Sequence, residues 1–285
     1  MSRGAPIGVF DSGHGGLTIL SALTRRLPWE HFLYLGDHAA APYGERNPQE
    51  IYERTQAAVE LLFALDCRLV LIACNTAAAI ALRRLQQGWL ARHHPDRRVL
   101  GVLAPMVEAL SGRSWTGSQP LRGGMLGAGA ESVAVFATRR TVESAAYPRE
   151  VAARSPAVRI DQEACPGLAG AIEQDRPDAD LQAMIATAVD ALLARHAETP
   201  PEAAVLGCTH FPLVAGHFAA ALPPTTRLLS QPQVVAAALQ SYLARHPERS
   251  SGPGETRFLT TGSPAVVSQL ATRFLGGPVR FLEVP

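Results

Sequence analysis

Leu69-Val70-Leu71-Ile72-Ala73-Cys74-Asn75-Thr76-Ala77 decides how the chain reads. The first four residues are a short apolar run, long enough for a buried strand. Thr76 to about Arg92 then has helical spacing. The thiol of Cys74 therefore falls at the carboxyl end of a strand and the mouth of a helix. The arrangement returns far downstream in Val205-Leu206-Gly207-Cys208-Thr209-His210, followed by a helix-like run from Leu213 to Leu222. Two cysteines in matching local settings suggest two half-sites facing one ligand.

Working outward, Ile7 to Phe10 is a strand followed by the Gly-rich turn Asp11-Ser12-Gly13-His14-Gly15-Gly16 and a helix from Leu17 to Leu27. Phe32 to Leu35 is the next strand. Asn47-Pro48 starts a helix running to about Leu65, since Asn caps and Pro suits the first turn. Arg68 to Ile72 and Val99 to Leu103 are read as strands. This alternation predicts an α/β fold with parallel strands wrapped by helices. Ser111 to Gly129 is rich in Gly and Ser and mostly reads as a surface loop. Beyond it come strands at 133–136, 158–160, 203–206, 227–229, 256–260 and 279–284, and helices at 140–147, 178–195, 234–245 and 264–274.

Composition narrows the chemistry. The chain has 285 residues, 47% of them apolar, and a net charge of +1. That supports one or two domains with a substantial core and offers no electrostatic pull toward nucleic acid or an anionic membrane. No run is long and apolar enough to span a bilayer, and no secretory leader is evident, so a cytoplasmic protein is expected. Four cysteines without C-x-x-C spacing are neither a disulfide framework nor a zinc site, and no metal is expected. Cys67 and Cys165 read as small buried hydrophobes. Gly13-His14-Gly15-Gly16 lacks both the G-x-G-x-x-G and the Walker pattern, which weighs against nucleotide binding.

In open parallel sheets, ligands bind beyond the carboxyl ends of the strands. Asp11, Asp37, Cys74, Thr138 and Cys208 all follow predicted strands. A thiol works near neutral pH only when its pKa falls from about 8.5, and a helix N-terminus with a nearby proton acceptor achieves this. One activated cysteine would suggest nucleophilic catalysis. Two, approaching one carbon from opposite sides, suit inversion of a stereocentre. Backbone N–H groups of Ser12, Gly44, Asn75, Thr76, Thr209 and His210 are candidates to hold carboxylates.

Five stretches carry a family resemblance: Phe10-Asp11-Ser12-Gly13 with Gly15-Gly16-Leu17-Thr18, Gly36-Asp37-His38-Ala39 with Pro42-Tyr43-Gly44, Ala73 to Ala77, Thr138 to Tyr147, and Gly207 to Leu213. Together they resemble the glutamate racemases of the cofactor-independent aspartate/glutamate racemase superfamily, over nearly the whole chain. The resemblance implies two similar α/β domains, each a mainly parallel sheet flanked by helices, with the active site in the cleft between them. On this view residues 1–100 and 210–285 form a discontinuous first domain and 101–209 the second.

The resemblance further implies that Cys74 and Cys208 are acid/base thiols, Asp11 assisting the former and His210 with Glu173 the latter. Asp11, Ser12, Tyr43, Gly44, Asn75, Thr76, Thr138, Thr209 and His210 would surround glutamate. No pyridoxal phosphate or metal would be needed, and the product would be D-glutamate for bacterial peptidoglycan, hence for the cell wall and cell shape. A homodimer is expected. The chain departs from the family pattern at His14, Ala137 and Phe211, at Ser230-Gln231, and over Gly167 to Ile172. The N-terminal extension linked to activation by a peptidoglycan precursor is not seen, so no such requirement is expected. Two other readings remain at this point. One is a related superfamily enzyme acting on aspartate, a hydantoin or a malonate; the other is a non-catalytic binding protein on the same scaffold.

Overall fold

The structure, a computed structural model, describes residues 4–112, 132–196 and 199–285. It divides into two compact units, Met1–Val102 with Pro232–Pro285, and Leu103–Gln231.

The first unit holds a six-stranded sheet in the order β10-β9-β2-β1-β3-β4. Its strands are β1 (Ile7–Asp11), β2 (Phe32–Gly36), β3 (Leu69–Ile72), β4 (Arg98–Gly101), β9 (Arg257–Thr260) and β10 (Phe281–Glu283). Every pairing is parallel. β1, β2 and β3 are buried throughout, which explains their unbroken apolar sequence: helices cover both faces of a parallel sheet. The helix Pro48–Ala64 starts as its sequence dictates. The Asn47 side chain accepts a hydrogen bond from the Gln49 N–H, and Pro48 occupies the first turn. Residues 75–93 form a continuous helical run with π-type winding over Ala78–Leu82 and Leu85–Leu90. The helix Pro264–Leu275 ends at Gly276, whose φ of 72° is the left-handed conformation glycine adopts without strain.

The second unit holds a four-stranded parallel sheet in the order β6-β5-β7-β8, made of β5 (Ser132–Ala137), β6 (Arg159–Ala164), β7 (Ala203–Gly207) and β8 (Arg227–Ser230). The central strands β5 and β7 are almost wholly buried, and β6 is a half-exposed edge. Phe136, Leu168, Ile185, Leu206, Phe211 and Phe218 belong to its core.

Several expectations shift. The segment read as a strand to Leu103 pairs only as far as Gly101, and Leu103–Ser111 is a helix with Pro105 in its first turn. The remainder of the Gly/Ser-rich loop, 113–129, lies outside the described residues. The helix read over 140–147 is two, Arg139–Glu143 and Ala146–Ala152, broken at Ala145 with φ 50°. The helix read from Leu213 begins as a tight 3-10 turn, Phe211–Val214, before Ala215–Ala221. The chain returns to the first unit at Pro232 and not near 210, because β8 pairs with β7 and keeps 210–231 in the second unit. His196 is buried, and its Nε2 lies 3.1 Å from Asp161.

Candidate active site

In the first unit three neighbouring strand ends deliver the side chains. β1 lies between β2 and β3, and the three are stitched at their carboxyl ends: the Asp37 N–H donates to the Asp11 carbonyl and the Ala73 N–H to that of Phe10. Cys74 is the N-cap of the helical run that follows β3, with extended backbone (φ −64°, ψ 120°). Its Sγ accepts from the Ala77 N–H at 3.5 Å and lies 3.3 Å from Ser12 Oγ. The thiol thus sits where helix N–H groups point outward and favour negative charge. Cys74, Asn75 and Thr76 are all buried.

Asp11 is fully buried, and its Oδ2 accepts from the Gly13 N–H at 2.9 Å. The Tyr34 hydroxyl donates to the Gly13 carbonyl at 2.6 Å and holds the other side of that turn. The turn demands glycine at position 16. A Cβ there would stand 2.4 Å from Asp11 Cβ and 2.9 Å from Tyr34 Oη. Asp37 anchors the adjoining loop. Its carboxylate accepts from the Tyr43 and Thr261 hydroxyls, each at 2.7 Å, and Arg54 stands 3.6 Å away. Burial pushes the Tyr43 phenol far above its ordinary pKa, and the charge of Asp37 adds to this, so Tyr43 is a neutral donor. Gly44, beside it, is buried. His14 packs among neighbouring side chains: its Nε2 lies 3.2 Å from the Val267 carbonyl, its ring stacks on Phe274, and it meets the His38 ring edge-on.

In the second unit β7 delivers Cys208, Thr209 and His210, all buried. The Phe211 N–H donates to the Cys208 carbonyl, closing a tight turn that folds the imidazole back over the thiol. His210 Nδ1 lies 3.7 Å from Cys208 Sγ, and His210 Nε2 lies 2.9 Å from Glu173 Oε1. Glu173 ends the short helix Leu168–Glu173, which starts at Gly167 with φ 74°. Burial alone would lower the His210 pKa. The hydrogen bonds to Cys208 and Glu173, and their negative charges, outweigh it and raise the value to about 10. Thr138 follows β5, buried, its Oγ1 3.0 Å from Thr141 Oγ1.

The first unit thus gathers Asp11, Ser12, Tyr43, Gly44, Cys74, Asn75 and Thr76, and the second Thr138, Glu173, Cys208, Thr209 and His210. Thr261 was not foreseen. It follows β9, and only the unforeseen pairing of β9 with β2 brings it to Asp37. The other cysteines are different in kind. Burial pushes the Cys67 thiol up to about 12 and that of Cys165 higher still, so both stay protonated. Among the described residues no cluster of three or more His, Cys, Asp or Glu is placed to hold a metal. Among them, too, no helix is long and apolar enough to cross a membrane.

A thiol with a hydroxyl and helix N–H groups, and a thiol with an imidazole and a carboxylate, are both equipped for proton transfer. Comparison with known proteins gives the same direction. The family model described as Asp/Glu/Hydantoin racemase matches residues 17–239. A glutamate racemase of Paracoccus denitrificans is 47% identical over 275 residues, covering 96% of this chain and 98% of that protein. Among solved structures, a glutamate racemase from Bacillus anthracis has a TM-score of 0.84 at 27% identity, covering 100% of this chain and 98% of the other. A glutamate racemase from Francisella tularensis, solved in complex with D-glutamate, has a TM-score of 0.82 at 26% identity, covering 99% and 97%.

Proposed function

This chain belongs to the Asp/Glu/hydantoin racemase family, and from that premise we propose that it interconverts L- and D-glutamate by two-base proton transfer at the α-carbon, one thiol coming from each unit. The observation that carries the reading is the duplication of a strand–cysteine unit, each copy with its own proton-handling neighbours. In one direction a thiolate takes the α-proton and becomes a thiol. The electron pair left on carbon delocalises into the substrate carboxylate, and the other thiol gives its proton to the opposite face, becoming a thiolate. The reverse reaction exchanges the roles, so no external acid, base or oxidant is consumed.

Cys74 draws on Ser12 and the helix N-terminus, with Asp11 as its assisting carboxylate. Cys208 draws on His210, which Glu173 holds and charges. His210 beside Cys208 gives that thiol a proton-handling partner within reach, which supports a role in proton transfer. Backbone N–H groups of Ser12, Gly44, Asn75, Thr76, Thr209 and His210 would bind the two substrate carboxylates, with Asp11 and the Tyr43 and Thr138 side chains also around the substrate. No pyridoxal phosphate or metal enters the scheme. The reading extends to a cytoplasmic homodimer that supplies D-glutamate for peptidoglycan.

The test is proton NMR of L-glutamate with pure protein in D₂O, with reductant and without added cofactor, alongside a chiral assay. Loss of the α-proton signal with appearance of D-glutamate is the expected result. Cys74→Ser and Cys208→Ser should each lower racemisation by at least about 100-fold, the scale of a lost general base. Near-normal turnover in either variant would overturn the two-base scheme. Absence of exchange with glutamate, but exchange with aspartate or a hydantoin, would reassign the substrate.

A further inference from the structure

Tyr147 closes the Thr138 to Tyr147 stretch, and none of the roles above uses it. It is fully buried, and its hydroxyl oxygen accepts a hydrogen bond from Gln231 Nε2 at 2.7 Å. Gln231 is 1% exposed and follows directly on β8. The two residues reach each other from opposite sides of one strand. Tyr147 lies in the connection that leaves β5, Gln231 in the one that leaves β8, and β7 runs between β5 and β8. The three strands end level: Ala137 pairs with Gly207, and Leu206 with Ser230. The Tyr147–Gln231 bond therefore spans β7 at the edge where Cys208 emerges.

The path of the chain favours this contact. The left-handed Ala145 breaks the helix, and Ser144 Oγ, which donates to the Thr141 carbonyl, accepts from the Ala146 N–H. The new helix starts one residue before the phenol and so turns Tyr147 inward. Because its oxygen accepts from the amide, the phenolic proton is left for an acceptor other than that nitrogen. Burial, followed by the charge of a Cys208 thiolate, holds Tyr147 well above its ordinary pKa, so at working pH it is a neutral donor in the electrostatic range of that thiol.

We infer that the buried Tyr147–Gln231 pair is a positioning device for Cys208, acting beside the His210–Glu173 pair. The inference rests on the two-thiol reading above, and it makes the pair act on one half of the reaction only.

The experiment separates the halves. In Cys74→Ala protein, α-proton exchange in D₂O depends on Cys208 and should occur with one enantiomer of glutamate. In Cys208→Ala protein it depends on Cys74 and should occur with the other. Tyr147→Phe, which keeps the ring, and Gln231→Leu, which removes the amide, are placed in each background. Each should slow Cys208-dependent exchange by about tenfold, the scale of one buried polar group left without its partner, and change Cys74-dependent exchange by less than about twofold. Equal slowing in both backgrounds would reduce the pair to general structural support and overturn the inference, as would no effect in either. If racemisation persists in the wild type but neither single-thiol protein exchanges protons, the two-thiol scheme itself falls and the inference falls with it.

Discussion

At His210 burial acts against the charge, yet the imidazolium wins because a thiol and a carboxylate flank it at 3.7 and 2.9 Å. The direction of that shift fixes a pH dependence. The folded protein holds this proton up to about pH 10, whereas the unfolded chain releases it near 6.5. The contribution to stability is therefore complete below 6.5 and is lost as pH rises toward 10. Glu173→Gln removes one of the two charges, so its thermal midpoint should decline less steeply than the wild type between pH 7 and 10, and a parallel decline would count against the pairing. Gly16 makes a steric prediction instead. An alanine Cβ there cannot coexist with Asp11 and Tyr34 in place. Gly16→Ala should cost about 2 kcal/mol in denaturant unfolding and remove most activity, because the loop that moves carries Asp11 and Ser12.

Between residues and molecule stand the elements, where sequence and structure agree unevenly. Strands buried on both faces announce themselves as short apolar runs, and a cysteine that ends such a run marks its own place at the sheet edge. That is why Cys74 and Cys208 were legible from sequence. The helix Leu103–Ser111 was not: an apolar run followed by Pro105 resembles a strand and a turn, and only packing decides otherwise. Leu168–Glu173 is one short helix containing Gly170, with too few turns to show a period, so the position of Glu173 could be argued only by resemblance. The break after Glu143 hangs on one residue, Ala145, in a conformation that alanine rarely takes. Ala145→Gly should relieve it and raise stability by about 0.5–1 kcal/mol in chemical denaturation, with Tyr147 still in place. Destabilisation would mean that the alanine methyl is itself packed.

Over the whole molecule, the order of the strands in space differs from their order in the chain. β9 and β10 come from the last thirty or so residues, yet β9 lies directly against β2. The same late segment supplies Thr261 to Asp37, and just before it Ser250 and Ser251 donate to the buried Glu30 carboxylate. These links could not be read from sequence, since nothing local to β2 says which strand will cover its outer edge. A chain cut after residue 256 should leave the Phe32–Gly36 edge bare, and it should be recovered mainly in the insoluble fraction or as large species on size exclusion. A well-behaved monomer would show that the edge needs no partner.

That arrangement also has a consequence for the protein as it is made. A ribosome delivers β1 to β4 first, but their sheet stays unfinished until the final strands emerge. Leu103–Gln231, by contrast, contains all four strands of its own sheet in one uninterrupted span. The part of the chain synthesised second can thus complete its fold first, while the part synthesised first waits, its β2 edge open, for the end of translation.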